Sequence, residues 1–443
     1  MRILFASMPF DGHFLPMTGL AQRLRRDGHD VRFYTGPSFA GTLERLGVPH
    51  VPFRRAVEVN GQNLAEHFPE VGKLKGPRRV AFDAEKIFFA NIPAHYADIT
   101  ELHASFPFEV LVSDGAFYAA YPLTRKLGIP AYGIAPAPTP TAKSAGAPPP
   151  FFGLTPATGP LTRLQHRIVW AMVESTAKKA RPVLDELLAR EGLPAYPGSV
   201  YQLPWDTVTR MFATGAAAMD FDNIRWPGNH TFAGPLLPPR GGEVRPVPFL
   251  DRLVAAPTVV VVSQGTVDNR DPGKLLVPAL TALAGTEYLV VACTGHRNTG
   301  ALRQRFGQGN VIIEDWIDFD ALLPHADVFI TNGGYGSVMQ AIMAEVPIVS
   351  AGKSEAKNDI NARLAYRRLG YDLRTERPTP ARIAAAVRHV LADPAHTASI
   401  RRVAAELRAQ RPLDMMAETI LGQTKKRQAV PGSASPRPGQ PER

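Results

Sequence analysis

Residues 327–352, DVFITNGGYGSVMQAIMAEVPIVSAG, decide the fold. Val328 to Thr331 is a short apolar run, the glycines at 333, 334 and 336 interrupt it, an apolar-periodic stretch follows, and Ile348 to Ser350 is apolar again. A strand, a glycine turn, a helix and a second strand make a βαβ unit, whose parallel strands are covered on both faces by crossover helices. Such strands read as continuous apolar runs. The same signature recurs at Thr258 to Val262, Tyr288 to Ala292 and Val311 to Ile313. The N-terminal half repeats it, with strands at Arg2 to Ser7 and Val31 to Tyr34 around a helix from Pro16 to Arg26. Further on, strands at Val110 to Val112 and Pro130 to Ile134 flank a helix from Ala116 to Leu127. The pattern predicts an α/β protein of two facing Rossmann-like parallel-sheet domains with a cleft between them.

At 443 residues the chain has room for two domains of roughly 100 to 200 residues each. Its 42 prolines are about twice the usual share of roughly 5%, and they cluster. Pro235 to Pro248, with Gly241 and Gly242, reads as an interdomain linker. The expected division is therefore an N-terminal domain over 1–232, a linker over 233–248 and a C-terminal domain over 249–406. Eight prolines from Pro136 to Pro160 exclude regular structure there and predict a long loop. Residues 424–443, rich in Pro, Gly and Ser, read as a disordered basic tail.

A hydrophobic fraction of 45% with 20% charged residues is ordinary for a globular protein. Of the net charge of +10, the tail carries five cations minus one anion, or +4, and the rest is spread thinly. With no aromatic or zinc-finger signature beside it, this charge argues against nucleic-acid binding. The single Cys293 precludes an internal disulfide and fits a reducing cytoplasm. The opening residues lack a signal-peptide layout and no apolar run approaches about 20 residues, so the expectation is a cytoplasmic protein without membrane insertion.

Three segments hold candidate chemistry. His13 follows the first strand at its carboxyl end, where open parallel sheets bind ligands, and an imidazole there is a candidate general base or a packing residue. Asp114 ends an apolar run; it either caps the helix near Ala116 or orients an imidazole. Asn332, Gly333, Gly334, Tyr335, Gly336 and Ser337 join a strand to a helix N-terminus, which suits an anion such as a diphosphate. No Lys follows these glycines, so this is no P-loop, and their spacing is not GxGxxG. Trp316, ending another strand, either stacks on a flat base or belongs to the core. The segments EKIFFANI (85–92) and PPPFF (148–152) place aromatics where a hydrophobic ligand would sit. No HExxH or paired CxxC is present.

Gly12-His13-x-x-Pro16, Asp114, the segment VVVVSQGT (259–266) and the block from Trp316 to Ala362 together resemble the UDP-glycosyltransferase-like family, inverting enzymes of the GT-B fold. The likeness spans residues 1–420 and is strongest to bacterial enzymes that glycosylate natural products. It implies that His13 deprotonates an acceptor hydroxyl, that Asp114 holds His13, and that the sugar comes from a UDP- or dTDP-linked donor without a metal or other cofactor. Donor contacts would come from Gly12, Gly265, Thr266, Trp316, Ile317, Asn332, Gly333 to Ser337 and Gln340. Phe88, Phe151 and Phe152 would line the acceptor site. A C-terminal helix over 407–421 would pack back on the first domain, in a monomer or homodimer.

The sequence departs from the family in two places. Asn332 stands where most members have a histidine touching the diphosphate. Lys357 and Asn358 stand where an Asp-Gln pair holds sugar hydroxyls, with Glu355 just before them. These departures keep open the reading of a catalytically inactive nucleotide-sugar-binding partner protein, and the shared fold that of a GT-B nucleotide-sugar epimerase.

Overall fold

In the computed structural model, which describes residues 1–137, 144–239, 246–265 and 269–428, the strands form two separate parallel sheets. The first contains β1 (Arg2–Ala6), β2 (Asp30–Thr35), β3 (His50–Pro52), β4 (Val110–Asp114), β5 (Ala131–Ala135), β6 (Arg210–Thr214) and β7 (His230–Gly234) in the order β3-β2-β1-β4-β5-β6-β7. The second contains β8 (Val259–Ser263), β9 (Leu289–Cys293), β10 (Val311–Glu314), β11 (Val328–Thr331), β12 (Ile348–Ser350) and β13 (Gly370–Asp372) in the order β10-β9-β8-β11-β12-β13. This is the GT-B arrangement of two Rossmann-like domains.

The apolar runs became central strands for the reason that made them legible. Every residue of β4, β5, β8 and β9 is buried, and each sheet separates two hydrophobic clusters. Burying one Val or Ile side chain fully stabilises by roughly 1.5–3 kcal/mol, so these strands fix the register of both sheets.

Four strands lacked that signal. β3 and β13 are three-residue edge strands, β6 begins with Arg210, and β7 begins with His230 and continues past residue 232 to Gly234. Helix ends also moved. The first helix starts at Asp11, not Pro16, so Pro16 lies inside it and leaves the Gly12 carbonyl without its helical donor. The helix expected from Ala116 starts at Ala120, after a turn anchored by Asp114.

Leu407 belongs to the helix Pro394–Arg408 and to the second domain's core. The chain then turns, and the helix Pro412–Gln428 buries Met416, Ala417 and Ile420 against Phe14, Met17 and Leu20 of the first domain, with Arg23 paired to Asp414. This helix extends into the stretch read as tail, whose remainder, 429–443, lies outside the described residues, as do 138–143 of the Pro-rich loop and 240–245 of the linker. Among the described residues, no helix is long and apolar enough to cross a membrane.

The domains are locked by a buried ion pair. Arg363 Nε donates to Asp220 Oδ1 at 2.8 Å, with both side chains at or below 5% exposure and the guanidinium 4.7 Å from the Phe221 ring. Arg367 donates to the Asp220 carbonyl and pairs with Asp222, and Tyr335 Oη donates to the Thr214 carbonyl at 3.0 Å. Removing one partner of a buried pair strands the other charge at a cost of about 3–5 kcal/mol, whereas replacing both with apolar or neutral groups of similar volume is near neutral. Arg363→Ala is expected to lower the unfolding free energy by about that amount in urea denaturation, and Arg363→Met with Asp220→Asn to restore most of it.

Candidate active site

In an open parallel sheet the crevice opens at the carboxyl ends of the strands where the order reverses direction. In the first sheet that point lies between β1 and β4, in the second between β8 and β11. Both halves of the site sit there.

β1 runs into Ser7 to Phe10 and then the helix Asp11–Arg26, so His13 occupies that helix's first turn. β4 ends on Asp114, whose side chain is wholly buried and accepts three hydrogen bonds: Met8 N–H at 2.6 Å, Ala116 N–H at 2.7 Å and His13 Nδ1 at 2.9 Å. The two readings of Asp114 thus coexist, since the carboxylate both anchors the turn after β4 and orients the imidazole across the switch point. A buried carboxylate is tolerable only with such full satisfaction. Because Nδ1–H points at Asp114, the lone pair of His13 is on Nε2.

The electrostatics of His13 come from both domains. Burial pulls its pKa down, but the charge and hydrogen bond of Asp114, with the Glu355 carboxylate adding, leave it above the ordinary 6.5. Glu355 belongs to the second domain and reaches this field across the cleft. It has a left-handed backbone (φ 58°), uncommon for a residue with a Cβ, and its Oε2 lies 2.7 Å from Lys357 Nζ. The Lys357 ammonium first, with Arg79 and His13 behind it, holds the exposed Glu355 carboxylate below the usual carboxylate range. Arg79 pairs with Asp83 at 2.7 Å, and burial pushes Asp83 up to about 6. Nothing in the sequence pointed to Arg79 or Asp83, which lie far from every motif.

Phe88 packs half-buried with its ring 6.0 Å from His13, at the end of a π-helical turn over Asp83–Phe89. Its neighbour Phe89 is core. π-turns recur at functional sites because the extra residue re-aims side chains, and this one turns Phe88 toward His13. Phe151 and Phe152 are half-buried in the Pro-rich loop, and Phe151 meets Tyr201 edge-on at 5.8 Å. That loop is tied to the other domain: Asp359 accepts from the N–H groups of Phe151 (2.6 Å) and Gly153 (2.9 Å), and Asn358 donates to the Phe151 carbonyl. The tie holds Phe151 at φ 76°, a left-handed conformation that a bare loop would abandon.

On the second sheet, β11 runs through Asn332, Gly333 and Gly334 into the helix Tyr335–Met343. Gly333 has φ +87°, and a Cβ there would collide with the Asn361 side chain, so this turn requires glycine. Asn332 is buried, and its amide works within the protein: Nδ2 donates to the Gln264 carbonyl at 2.5 Å and Oδ1 accepts from Gly334 N–H at 3.2 Å. It staples the loop after β8 to the turn after β11. Gly265 follows at φ +81° against that amide. Ser337 Oγ donates to the Gly334 carbonyl, and the first N–H groups of the helix, at the carboxyl end of β11, have no intrahelical acceptor.

Trp316 is 48% exposed just beyond β10. Ile317 instead buries its side chain in the second core, which leaves only its backbone for contact. Gln340 is half-buried on the helix behind the glycine turn, Gly12 is open at the start of the first helix, and Thr266 lies outside the described residues.

Residues 288–420 match the family described as "Erythromycin biosynthesis protein CIII-like, C-terminal domain". The chain is 33% identical over 404 residues to the 4'-demethylrebeccamycin synthase of Lentzea aerocolonigenes, covering 90% of this chain and 94% of that protein. Among solved structures, the glycotransferase of kitacinnamycin aligns with a TM-score of 0.73 at 21% identity, covering 96% of this chain and 98% of that one. The calicheamicin glycosyltransferase CalG4 aligns with a TM-score of 0.72 at 21% identity, covering 97% and 99%.

The cross-cleft field has a measurable signature. Asp114→Asn is expected to lower the His13 pKa strongly and Glu355→Gln to lower it less, both read from the imidazole carbon protons by NMR titration. An unchanged His13 titration in Glu355→Gln would remove the second domain from the electrostatics of the base.

Proposed function

Because the chain belongs to the UDP-glycosyltransferase-like family of natural-product glycosyltransferases with the GT-B fold, we propose that it moves a sugar, with inversion and without a metal, from a UDP- or dTDP-sugar to a hydroxyl of a hydrophobic small molecule. The observation that carries this reading is the His13–Asp114 pair at the switch point of one sheet, within the field of Glu355 from the domain whose own switch point holds the glycine turn.

In the proposed reaction, His13 Nε2 takes the proton of the acceptor hydroxyl as its oxygen bonds to the anomeric carbon from the face opposite the phosphate. The bond from that carbon to the phosphate oxygen breaks, and the nucleoside diphosphate leaves with the electron pair. Asp114 stabilises the imidazolium that forms. Charge on the leaving group meets the helix N-terminus at Tyr335 and the backbone N–H groups of the glycine turn, which supply electrostatic stabilisation where a metal otherwise would. The exposed indole of Trp316 supports stacking of the base, and Phe88, beside His13, supports an apolar acceptor. Lys357, which with Asn358 stands in place of the family's Asp-Gln pair, offers an ammonium for the diphosphate, and Glu355, two residues before it, a carboxylate for sugar hydroxyls.

Asn332 takes a role different from that of the histidine it replaces. With its amide bonded to Gln264 and Gly334, it shapes the turn that presents the backbone donors. Its contribution to the donor site is therefore proposed to be geometric.

His13→Ala should reduce turnover on the order of 10² to 10⁴-fold while leaving nucleoside diphosphate affinity, measured by calorimetry, nearly unchanged. Residual turnover close to wild type would assign the base to another group. Since the base works only when neutral and its pKa is raised, kcat/KM should fall on the acid side with a midpoint above 6.5, and Asp114→Asn should move that midpoint down.

A further inference from the structure

We propose that the chain carries a second site, a divalent-metal site of zinc type formed by His389, Asp393 and His396, separate from the glycosyl-transfer cleft. The helix Pro380–Ala392 ends one turn after His389, Asp393 is the joint, and the helix Pro394–Arg408 begins with His396 in its first turn. Candidate ligand atoms of the three side chains all lie within 4.8 Å of one another. Three ligands in eight residues form a His-x3-Asp-x2-His pattern, which neither helix produces alone; the break at Asp393 folds the two histidines onto one side.

Two of the three side chains, His396 and Asp393, are prepared for a metal by their other bonds. His396 is 95% buried, and its Nδ1–H donates to the Arg368 carbonyl at 3.1 Å. That bond puts the lone pair on Nε2, and Nε2 has no hydrogen-bond partner; the nearest acidic oxygen, Asp393 Oδ2, is 4.0 Å away, beyond hydrogen-bond reach. A buried, oriented imidazole nitrogen aimed at a carboxylate and a second imidazole is the usual preparation of a zinc ligand, in which the outer carbonyl fixes tautomer and ring plane. Asp393 is held the same way: its Oδ1 caps the following helix through Ala395 N–H at 2.9 Å, which leaves Oδ2 to face the histidines. His389 is exposed and rests edge-on against Tyr371 of the edge strand β13 at 5.4 Å, with its ring centroid 5.5 Å from that of His396.

Tetrahedral zinc with bonds of about 2.0–2.1 Å to nitrogen and oxygen sets ligand atoms about 3.3 Å apart. The contraction from the present spacing is shared by Asp393, whose Oδ2 must approach His396 Nε2 from 4.0 Å, and by the exposed His389 through rotation of its ring. Two imidazoles and one carboxylate leave the fourth position to water, and this nitrogen-rich donor set favours zinc over calcium or magnesium. The bound ion would link the ends of two helices at the sheet's outer edge, where β13 is only three residues long.

The test uses the full chain, purified without a polyhistidine tag and stripped with a chelator, titrated with Zn²⁺ by calorimetry and with Co²⁺ by visible absorption. One ion per chain, tetrahedral-type cobalt bands and a zinc-dependent rise in Tm are expected. His389→Ala, exposed and harmless to folding, should weaken Zn²⁺ binding tenfold or more and abolish the Tm rise. Asp393→Asn, which keeps the helix cap, should also weaken it, while His13→Ala should bind as the wild type does. Absence of stoichiometric binding, or wild-type affinity in His389→Ala, overturns the site. Loss of binding in His13→Ala would overturn it too, by moving the metal to the cleft, whereas failure of glycosyl transfer with the zinc results intact would bear only on the cleft.

Discussion

The structure depends on one topological constraint applied twice. In a parallel sheet whose strand order reverses, the two strands flanking the reversal send their following segments to opposite faces, and a gap opens at their carboxyl ends. A gap lined by backbone polar groups must be bridged, and each sheet bridges it with one polar side chain. Asp114 crosses from β4 to the segment after β1, and Asn332 crosses from the turn after β11 to the loop after β8. The bridge that stabilises the gap also aims what stands in it: an imidazole on one side of the cleft, a row of backbone N–H groups on the other. Stability and chemistry share the same hydrogen bonds, which is why both sites lie on the rigid ends of central strands and not on long loops.

Charge in the cleft is arranged as a relay between domains. Asp114 raises the basicity of His13 from below, and Glu355 adds to it from across the cleft while Lys357 keeps Glu355 ionised. A cationic arginine at 79 sits at the same junction beside Asp83. The basic character of His13 is therefore set mainly by Asp114 of its own domain, with a smaller contribution from Glu355 of the second.

The central strands and the order of the two domains were legible because burial on both faces leaves no choice but continuous apolar sequence. The edge strands β3 and β13 were not, because three residues at a sheet margin face water and carry no such demand. His13, Asp114 and the glycine turn were legible from their places at strand ends, but the bond between His13 and Asp114 joins residues 101 apart and needs the β1–β4 pairing to be seen. The structural bond of Asn332 was not legible, because its partner, the Gln264 carbonyl, is invisible to a pattern of side chains. The cluster around Asp393 escaped for a related reason, since its spacing fits neither helical nor zinc-finger periodicity until the helix break is known.

The bonds from Asp359 and Asn358 to the backbone of Phe151 and Gly153 carry an implication for how such enzymes can be recombined. A loop encoded before the interdomain linker owes its backbone conformation to a helix encoded well after it, and Arg363, one turn further along that helix, owes its counter-ion Asp220 to the first domain. The linker is thus a boundary in the chain but not in the energetics. Grafting a relative's second domain at that linker would exchange the glycine turn and, unless residues 358, 359 and 363 travelled with matching partners, would also release the aromatic loop, so the two halves are inherited together.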